Sequence, residues 1–571
     1  MSMSKNIARL AVTAGLTAAL SFGGVMAPVT MAFADDGDNS ITITQSDGNA
    51  STTFKAYQIF KADVVDPTEE GTADKIVSNV KWADDVEPSV QNAIIAAIEA
   101  DSKYETSNPK LPNKATAQDV ADWLTKNVTG TNAETAVNKD HLLNKIAGIV
   151  KSGVTATGSS FLAGNSFTVP NDENNSPKTG YYLFLTDESS LSTSEAAKKN
   201  TGTSPIFAVV GGSSVTVTEK TSIPTVEKEV LEGGNWGKVS DSFIGEEVEY
   251  KLTGHVASNI DTFTKYEYTF QDHLSVGLEA IKSSVEVKIN GQVIQPANGY
   301  TVDLVDTKNA SGNLTGGQDL TISFSNLKDA AAAAGVTLRG DSKVVVTYKA
   351  KLTDKAEYTA TGNTNDVKLV YSNNPMVEGT GTSTPERVTD HVFRLDVTKV
   401  EKDNQNQKLE ATFQVKMTKE GDTSLKTNRW LTQTGGITEN EKDAGKFKTD
   451  KETGKIYIPG LVEGTYEITE CNTPAGYNTL APFTITVKPK YNADGSLQSL
   501  DVTSSNTEMV TSSATNDATI PVTIQNKKGS GLPLTGLNGV TFTWIAGGAV
   551  LCIGVAHLIR SRKQAEESEQ E

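Results

Sequence analysis

The chain has 571 residues, and its 70 acidic against 52 basic residues give a net charge of −18. This acidity argues against a nucleic acid as partner, and five histidines with no Cys/His cluster argue against a zinc or catalytic metal site. We therefore expect no metal, no cofactor and no nucleic-acid partner, in a chain long enough for three or four domains.

The N-terminus has the features of an export signal. Lys5 and Arg9 precede an apolar stretch over residues 10–26, and Ala32-Phe33-Ala34 is a small-x-small cleavage site. We predict a signal peptide over residues 1–34 that is removed in the exported protein.

A mixed α/β domain is predicted for residues 35–221. Strand-like segments open and close it, and between them three segments carry apolar residues at i, i+3, i+4 spacing, which indicates amphipathic helices. The predicted helices cover residues 89–100, 117–128 and 139–151, and the predicted strands cover 41–44, 54–60, 180–185 and 205–210.

Residues 222–392 and 393–529 are predicted as two further domains, both rich in short alternating strands. Turn signals such as Asn290-Gly291 separate the strands, and the alanine-rich stretch 330–334 is predicted as one short helix. This pattern indicates β-sandwiches of the immunoglobulin-like type. The predicted fold class is therefore mainly β, with tandem immunoglobulin-like sandwiches behind a mixed N-terminal domain.

The C-terminal region, residues 530–571, contains three elements in a fixed order. The sequence Leu532-Pro533-Leu534-Thr535-Gly536 comes first, followed by an apolar run over 537–559 and a basic tail. The run is long enough to cross a hydrocarbon core of about 30 Å, and the basic tail would hold its end in the cytoplasm. Since Cys552 lies in this run, only Cys471 would remain after its removal, and no intrachain disulfide could form.

Strand alternation predicts buried polar groups in the third domain. In the segment 395–399, Leu395 and Val397 mark the inward face, so Lys399 also points inward. The same argument places Glu470 and Asn526 on inward faces of their strands.

The second domain shows the same combination. Lys228 shares a face with two valines, and Asp272 shares one with aromatic residues. Asn373 follows Leu369 and Tyr371 on a third inward face, although Asn374 remains an alternative. Each domain would thus bury a lysine, a carboxylic acid and an asparagine.

Burial of these groups favours their neutral forms. A desolvated lysine loses its proton more easily and becomes a nucleophile, while a desolvated acid gains a proton and can polarise the asparagine carbonyl. Attack of the amine on that carbonyl would expel ammonia and leave a Lys–Asn isopeptide bond. The alternative is a buried salt bridge beside a hydrogen-bonded asparagine.

Three motifs resemble those of a known family. The sequence LPLTG before an apolar run resembles the LPXTG cell-wall sorting signal, and YEITECNTPAGY at 466–477 is similar to the pilin E-box, with Glu470 at the position of its acid. LDVTK and IQNKKGSGLPLTG resemble the lysine and asparagine strands of CnaB-type pilin domains. IPTVEK at 223–228 and YSNNP at 371–375 resemble the start and end of the middle, CnaA-type pilin domain.

The resemblance implies a sortase-assembled backbone pilin, a fimbrial subunit of a Gram-positive bacterium rather than a metabolic enzyme. It implies that a sortase cysteine attacks the carbonyl of Thr535, and that Asp272 and Glu470 promote isopeptide bonds from Lys228 to Asn373 and from Lys399 to Asn526. Its expected partners are pilin-specific and housekeeping sortases, identical subunits, peptidoglycan and any host surface ligand. The expected location is a wall-anchored pilus that supports adhesion, after transient membrane retention.

The acceptor amine for polymerisation is predicted to be Lys220, because backbone pilins carry such a lysine near the junction of their first two domains. A solvated linker lysine is the alternative interpretation of Lys220, and the nearest rivals are Lys178, Lys198 and Lys199.

Two other functions remain open at this point. The same domains could form an accessory or tip adhesin, although no thioester or metal-binding motif is present. A wall-anchored hydrolase would need a carboxylate pair, and no G-x-S-x-G nucleophile elbow occurs.

Overall fold

The computed structural model describes residues 38–529, except 47–48, 50–51, 67–74, 108, 129–136, 138, 193–199, 310, 341 and 422–426. The predicted signal peptide and the predicted sorting region, with residues 532–536 and the apolar run, lie outside the described residues. No described helix is long and apolar enough to cross a membrane.

The N-terminal region, up to residue 218, combines two sheets with helices. Its helices are α1 (Pro88–Glu99), α2 (Ala117–Asn127), α3 (Leu142–Gly153) and the single turn α4 (Ser189–Ser192). Its strands are β1 (Ser40–Thr44), β2 (Thr53–Val65), β3 (Ile76–Trp82), β4 (Phe161–Leu162), β5 (Ser166–Thr168), β6 (Gly180–Thr186), β7 (Ile206–Val210) and β8 (Val215–Thr218).

Two hydrophobic cores organise this region. One sheet has the order β3-β2-β6-β7, with β4 beside β2, and the other has the order β5-β1-β8, in which β1 and β8 run parallel. Helices α1 to α3 place their apolar faces in one core with strands of the larger sheet, while the smaller sheet packs in the other core. Helix α2 begins with a capping box, in which Thr116 and Asp119 bond to each other's backbone N–H groups.

The middle sandwich consists of two packed sheets. Its strands are β9 (Thr225–Glu232), β10 (Asn235–Gly237), β11 (Val239–Asp241), β12 (Glu247–His255), β13 (Tyr268–Leu274), β14 (Leu278–Ile289), β15 (Gln292–Ile294), β16 (Tyr300–Lys308), β17 (Leu314–Phe324), β18 (Lys343–Leu352), β19 (Asn363–Ser372), β20 (Thr380–Thr382) and β21 (Glu386–His391), with one helix, α5 (Leu327–Ala333). One sheet has the order β10-β9-β12-β18-β14-β15, and the other has the order β11-β21-β19-β13-β17-β16, with β20 beside β19.

The C-terminal sandwich also consists of two sheets. Its strands are β22 (Phe393–Glu401), β23 (Thr412–Glu420), β24 (Arg429–Leu431), β25 (Ile437–Thr438), β26 (Phe447–Lys448), β27 (Lys455–Leu461), β28 (Gly464–Asn472), β29 (Phe483–Tyr491), β30 (Leu497–Ser504), β31 (Val510–Ser512) and β32 (Thr519–Asn526). The smaller sheet has the order β27-β22-β32-β31, and the larger has the order β25-β24-β23-β28-β29-β30, with β26 beside β23. The first and last strands, β22 and β32, are parallel neighbours.

The predicted fold class is confirmed at this level: the protein is mainly β, with several β-sheet units, and its long helices lie near the N-terminus. The three predicted helices and the short alanine-rich helix are present, with ends within a few residues of those expected. This agreement reflects local signals, because apolar periodicity and capping residues act within a single element.

Candidate functional site: two buried lysine, acid and asparagine clusters

The middle sandwich buries Lys228 completely between its two sheets. Lys228 lies on β9, with Val226 and Val230 on the same inward face, and its exposed fraction is 0%. Its ammonium group reaches Asp272 on β13, which belongs to the opposite sheet, and the two groups form a buried ion pair. The side chain therefore spans the core of the sandwich.

A closed hydrogen-bond network surrounds this ion pair. Lys228 Nζ donates to Asn365 Oδ1 at 2.8 Å, and Asn365 lies on β19, next to β13. Tyr348 on β18 donates its hydroxyl proton to Asp272 Oδ2 at 2.6 Å and accepts from Asn365 Nδ2 at 2.7 Å. Four buried side chains from both sheets thus satisfy one another's polar atoms.

Burial shifts the titration of these groups toward their neutral forms. Desolvation lowers the pKa of Lys228, against the opposing effect of Asp272, and raises the pKa of Asp272, against the opposing effect of Lys228. The rings of Tyr250 and Tyr348 lie 5.6 and 5.7 Å from the ammonium nitrogen and exclude water around it. These directions are the ones needed for a nucleophilic amine beside a protonated acid.

The prediction that Asn373 belongs to this cluster was wrong. Asn373 lies beyond the end of β19, where its Nδ2 donates to the backbone oxygen of Asn200 in the N-terminal region, and its neighbour Asn374 also packs there, against Gly202. On β19, Val367 is the residue opposite Asp272. Asn373 is six residues further along, about 20 Å away at the rise of a strand, so Asn365 occupies the expected position instead.

The C-terminal sandwich assembles its cluster from the predicted residues. Lys399 on β22 and Asn526 on β32 belong to neighbouring parallel strands, and Glu470 on β28 reaches them from the opposite sheet. Lys399 Nζ lies 3.3 Å from Glu470 Oε1, and Asn526 Nδ2 donates to Glu470 Oε2 at 3.0 Å. The structure therefore brings Lys399, Glu470 and Asn526 together, as alternation predicts.

Three polar atoms of this second cluster lack a hydrogen bond. They are Lys399 Nζ, Glu470 Oε1 and Asn526 Oδ1, all buried. Lys399 Nζ and Glu470 Oε1 still face each other as an ion pair at 3.3 Å, so the full cost of an unsatisfied buried atom, about 1–3 kcal/mol, applies to Asn526 Oδ1. Burial also lowers the pKa of Lys399 to about 8, although Glu470 opposes this shift. The unreacted cluster is consequently an unfavourable arrangement in which the amine loses its proton readily.

The loop after β28 fixes the acid. Glu470 Oε2 accepts from the backbone N–H of Leu480 at 2.8 Å and from the hydroxyl of Thr473 at 3.2 Å. The backbone oxygen of Asn478 accepts from Asn526 Nδ2 at 2.7 Å. The loop therefore orients both the carboxyl group and the amide group.

Both clusters bring together a buried amine, a carboxyl group and a carboxamide, which are the three groups that formation of an isopeptide bond would require. Folding fixes the three groups next to one another and excludes water from them. The reaction would therefore need little further ordering or desolvation of these groups. Sequence reasoning did not find Asn365 or Tyr348. Extending the alternation of β19 upstream to Asn365, and treating the hydroxyl of the inward-facing Tyr348 as a polar group, would have found both.

The predicted polymerisation lysine lies just after β8. Lys220 is half-buried; its backbone N–H donates to Thr203 Oγ1 at 2.8 Å and its backbone oxygen accepts from Ser204 N at 3.0 Å. Lys178 is also half-buried, whereas Lys198 and Lys199 lie outside the described residues. Within the described part of the chain, no group of three or more His, Cys, Asp or Glu side chains is arranged to hold a metal ion.

Residues 393–505 match the family model described as the SpaA prealbumin-like fold domain. The matched residues include the segment 466–477, which resembles the E-box. No curated protein matches the sequence.

Solved structures of pilus proteins are among those that match this chain. The T6 backbone pilin of serotype M6 Streptococcus pyogenes is 16% identical, with a TM-score of 0.44 over 87% of this chain and 99% of that one. The major pilin SpaA of Corynebacterium diphtheriae is 14% identical, with a TM-score of 0.43 over 86% and 100% of the two chains. The pilus 2b backbone protein of group B streptococcus is 22% identical, with a TM-score of 0.36 over 54% and 99%.

Proposed function

We propose that the protein is a structural backbone subunit of a covalent pilus on the surface of a Gram-positive bacterium. The observation that carries this proposal is the presence of two buried lysine, acid and asparagine clusters, one in each of two successive sandwiches. Once the predicted sorting region with Cys552 is removed, Cys471 has no second cysteine to pair with, so these bonds would supply the covalent stabilisation of a fibre subunit.

In this proposal each cluster forms one isopeptide bond. Lys228 joins Asn365 with Asp272 as the acid, and Lys399 joins Asn526 with Glu470 as the acid. One ammonia leaves per bond, and the reaction occurs once in each of the two sandwiches, so the protein is not a turnover enzyme. The unsatisfied Asn526 Oδ1 supports this step, because a proton that passes from Lys399 Nζ to Glu470 Oε1 could then be donated in a hydrogen bond to Asn526 Oδ1 while Nζ attacks the carbonyl carbon.

Polymerisation would join the C-terminal sorting motif of one subunit to the junction between the first and second domains of the next. A sortase cleaves after Thr535 and passes the acyl group to Lys220 of the next subunit, and the last subunit is attached to peptidoglycan. The three folded domains, 35–221, 222–392 and 393–529, then form the repeating unit of a secreted, wall-anchored fibre. The half-buried position of Lys220, with its backbone held by Thr203 and Ser204, supports a fixed acceptor amine.

Intact mass spectrometry of residues 35–531 tests the internal bonds. We expect a deficit of two ammonias in the unmodified chain, and of one ammonia in each of the variants Glu470→Ala and Asp272→Ala. Asn365→Ala should also restore one ammonia, whereas the matched variant Asn373→Ala should not. A mass equal to that of the sequence would refute the isopeptide proposal.

Co-expression with a pilin sortase tests polymerisation. We expect a ladder of covalent oligomers that is lost in Lys220→Arg and in Thr535→Ala, but kept in Lys178→Arg. A ladder that persists in Lys220→Arg would show that another lysine is the acceptor.

A further inference from the structure

The hydroxyl of Tyr348 touches both nitrogens that exchange protons in the middle sandwich. Its oxygen lies 2.7 Å from Asn365 Nδ2 and 3.4 Å from Lys228 Nζ, and its proton is donated to Asp272 Oδ2 at 2.6 Å. Asp272 contacts the lysine nitrogen directly, whereas its connection to Asn365 Nδ2 runs through this hydroxyl. Tyr348 therefore bridges the attacking and the leaving nitrogen.

Formation of an isopeptide bond requires two proton movements. Lys228 first gives one proton to Asp272, and the neutral amine adds to the carbonyl carbon of Asn365. In the resulting tetrahedral intermediate, Nζ still carries one proton too many and Nδ2 one too few to leave as ammonia. Direct transfer between them would require a strained four-membered ring, whereas one bridging oxygen–hydrogen group enlarges the ring to six atoms.

We propose that Tyr348 is a catalytic residue of the middle sandwich that relays a proton from Lys228 Nζ to Asn365 Nδ2. Its oxygen accepts the proton from Nζ while its own proton passes to Nδ2; the C–Nδ2 bond breaks, and ammonia leaves. Tyr348 ends unchanged and Asp272 keeps the first proton, so charges and atoms balance. This inference rests on the proposed isopeptide bond between Lys228 and Asn365.

The surroundings of Tyr348 suit a relay. The ring is buried and stacks on Tyr250 at 5.4 Å between centroids, which fixes the hydroxyl. Burial raises the pKa of Tyr348 well above its ordinary value, so the phenol keeps its proton until a neighbouring group replaces it. Once Asp272 is protonated it is a weaker acceptor, and the hydroxyl is freed to turn toward Nδ2.

Comparison with the C-terminal cluster explains why a tyrosine hydroxyl would be needed in the middle sandwich alone. There the longer acid, Glu470, contacts both nitrogens directly, with Oε1 3.3 Å from Lys399 Nζ and Oε2 3.0 Å from Asn526 Nδ2. In the middle sandwich Asp272 is shorter by one methylene, and the hydroxyl of Tyr348 fills the gap to Asn365.

The test compares rates of bond formation at the two sites in one chain. Residues 35–531 are isolated unfolded in denaturant, folding is started by dilution, and cross-linked peptides from each sandwich are quantified by mass spectrometry over time. In Tyr348→Phe we expect bond formation in the middle sandwich to be about 100-fold slower, with an unchanged rate in the C-terminal sandwich. Tyr266→Phe is the matched control, because it removes another buried hydroxyl of the same core, one without a hydrogen-bond partner.

A second measurement needs no variant. The rate of bond formation in the middle sandwich of the unmodified chain is measured in mixtures of light and heavy water. A plot of this rate against the deuterium fraction should be curved, because two protons move in the same step. An unchanged middle-site rate in Tyr348→Phe, or a linear dependence there, would overturn the relay. Absence of any Lys228–Asn365 bond in the unmodified chain would instead refute the proposed function.

Discussion

The middle and C-terminal sandwiches bury the same kinds of reactive side chain but distribute them differently over their sheets. In the middle sandwich Lys228 extends from one sheet to Asp272 and Asn365 on the other. In the C-terminal sandwich Lys399 and Asn526 lie on adjacent strands of one sheet, and only Glu470 comes from the other. The proposed chemistry would therefore depend on where the ends of three side chains meet, and not on one arrangement of strands.

The two clusters also differ in how well their polar atoms are satisfied before any bond forms. The middle cluster is a closed network of hydrogen bonds, while the C-terminal cluster leaves three atoms without one. A satisfied ion pair can persist unreacted, whereas the proposed bond in the C-terminal cluster would let Asn526 Oδ1 accept a hydrogen bond that it lacks in this structure. We infer that the C-terminal bond forms with the larger driving force.

The largest effect should come from removal of either asparagine. Cross-links that close loops of about 100 residues or more are each worth roughly 5 kcal/mol. Asn526→Ala and Asn365→Ala should therefore each lower the free energy of unfolding of their own sandwich by about that amount, measured in denaturant with site-specific probes. Asn472→Ala is the control for Asn526→Ala, and Asn373→Ala is the control for Asn365→Ala. If a control lowered the free energy of unfolding as much as its matched variant, the loss could not be assigned to a cross-link.

A smaller effect is expected from a change of pH. The pH should alter the rate of bond formation in the C-terminal sandwich, because that reaction depends on a proton held by Lys399 and Glu470. The reactive pair of Lys399 and Glu470 must share one exchangeable proton, and the pair loses it as the pH rises through the lowered pKa of Lys399, about 8. The rate of bond formation in the C-terminal sandwich should thus be level below pH 8 and fall about tenfold per unit above it. Refolding at pH 7 and pH 9 measures this, and a rate that rises at pH 9 would show that the protonated acid is dispensable.

The smallest effect should follow from Thr473→Ala. This change removes one of the hydrogen bonds that hold Glu470, worth about 1 kcal/mol. We expect the C-terminal bond to form several-fold more slowly while the middle bond is unaffected, in the same refolding assay. Thr479→Ala, which removes a hydroxyl that contacts Thr473 rather than the acid, serves as the control.

Much of both clusters could be predicted from the sequence because side-chain direction in a strand has a period of two. Lys228, Asp272, Lys399, Glu470 and Asn526 were all placed inward by apolar residues two positions away, and each of them is buried. This signal is local, so it can be used without knowing how the strands pair.

Asn365 could not be distinguished from Asn373 in that way. Both are buried and they are an even number of positions apart, so strand alternation assigns them to the same face, although the structure ends β19 at Ser372. Only the antiparallel register of β13 against β19 decides that Asn365 is the one near Asp272. Register depends on contacts between distant parts of the chain. Tyr348 was overlooked for a different reason: an inward tyrosine in a strand looks like an ordinary core aromatic until its hydroxyl is seen among ionisable groups.

The parallel pairing of β22 and β32 has a mechanical consequence. The C-terminal sandwich begins with one of these strands and ends with the other, and they are paired from Arg394 and Thr519 to Glu401 and Asn526. A pull on the two ends of this unit draws the strands lengthwise past each other, so their hydrogen bonds bear the load together instead of opening one after another. Even before any covalent bond forms, the unit is loaded in shear rather than peeled apart.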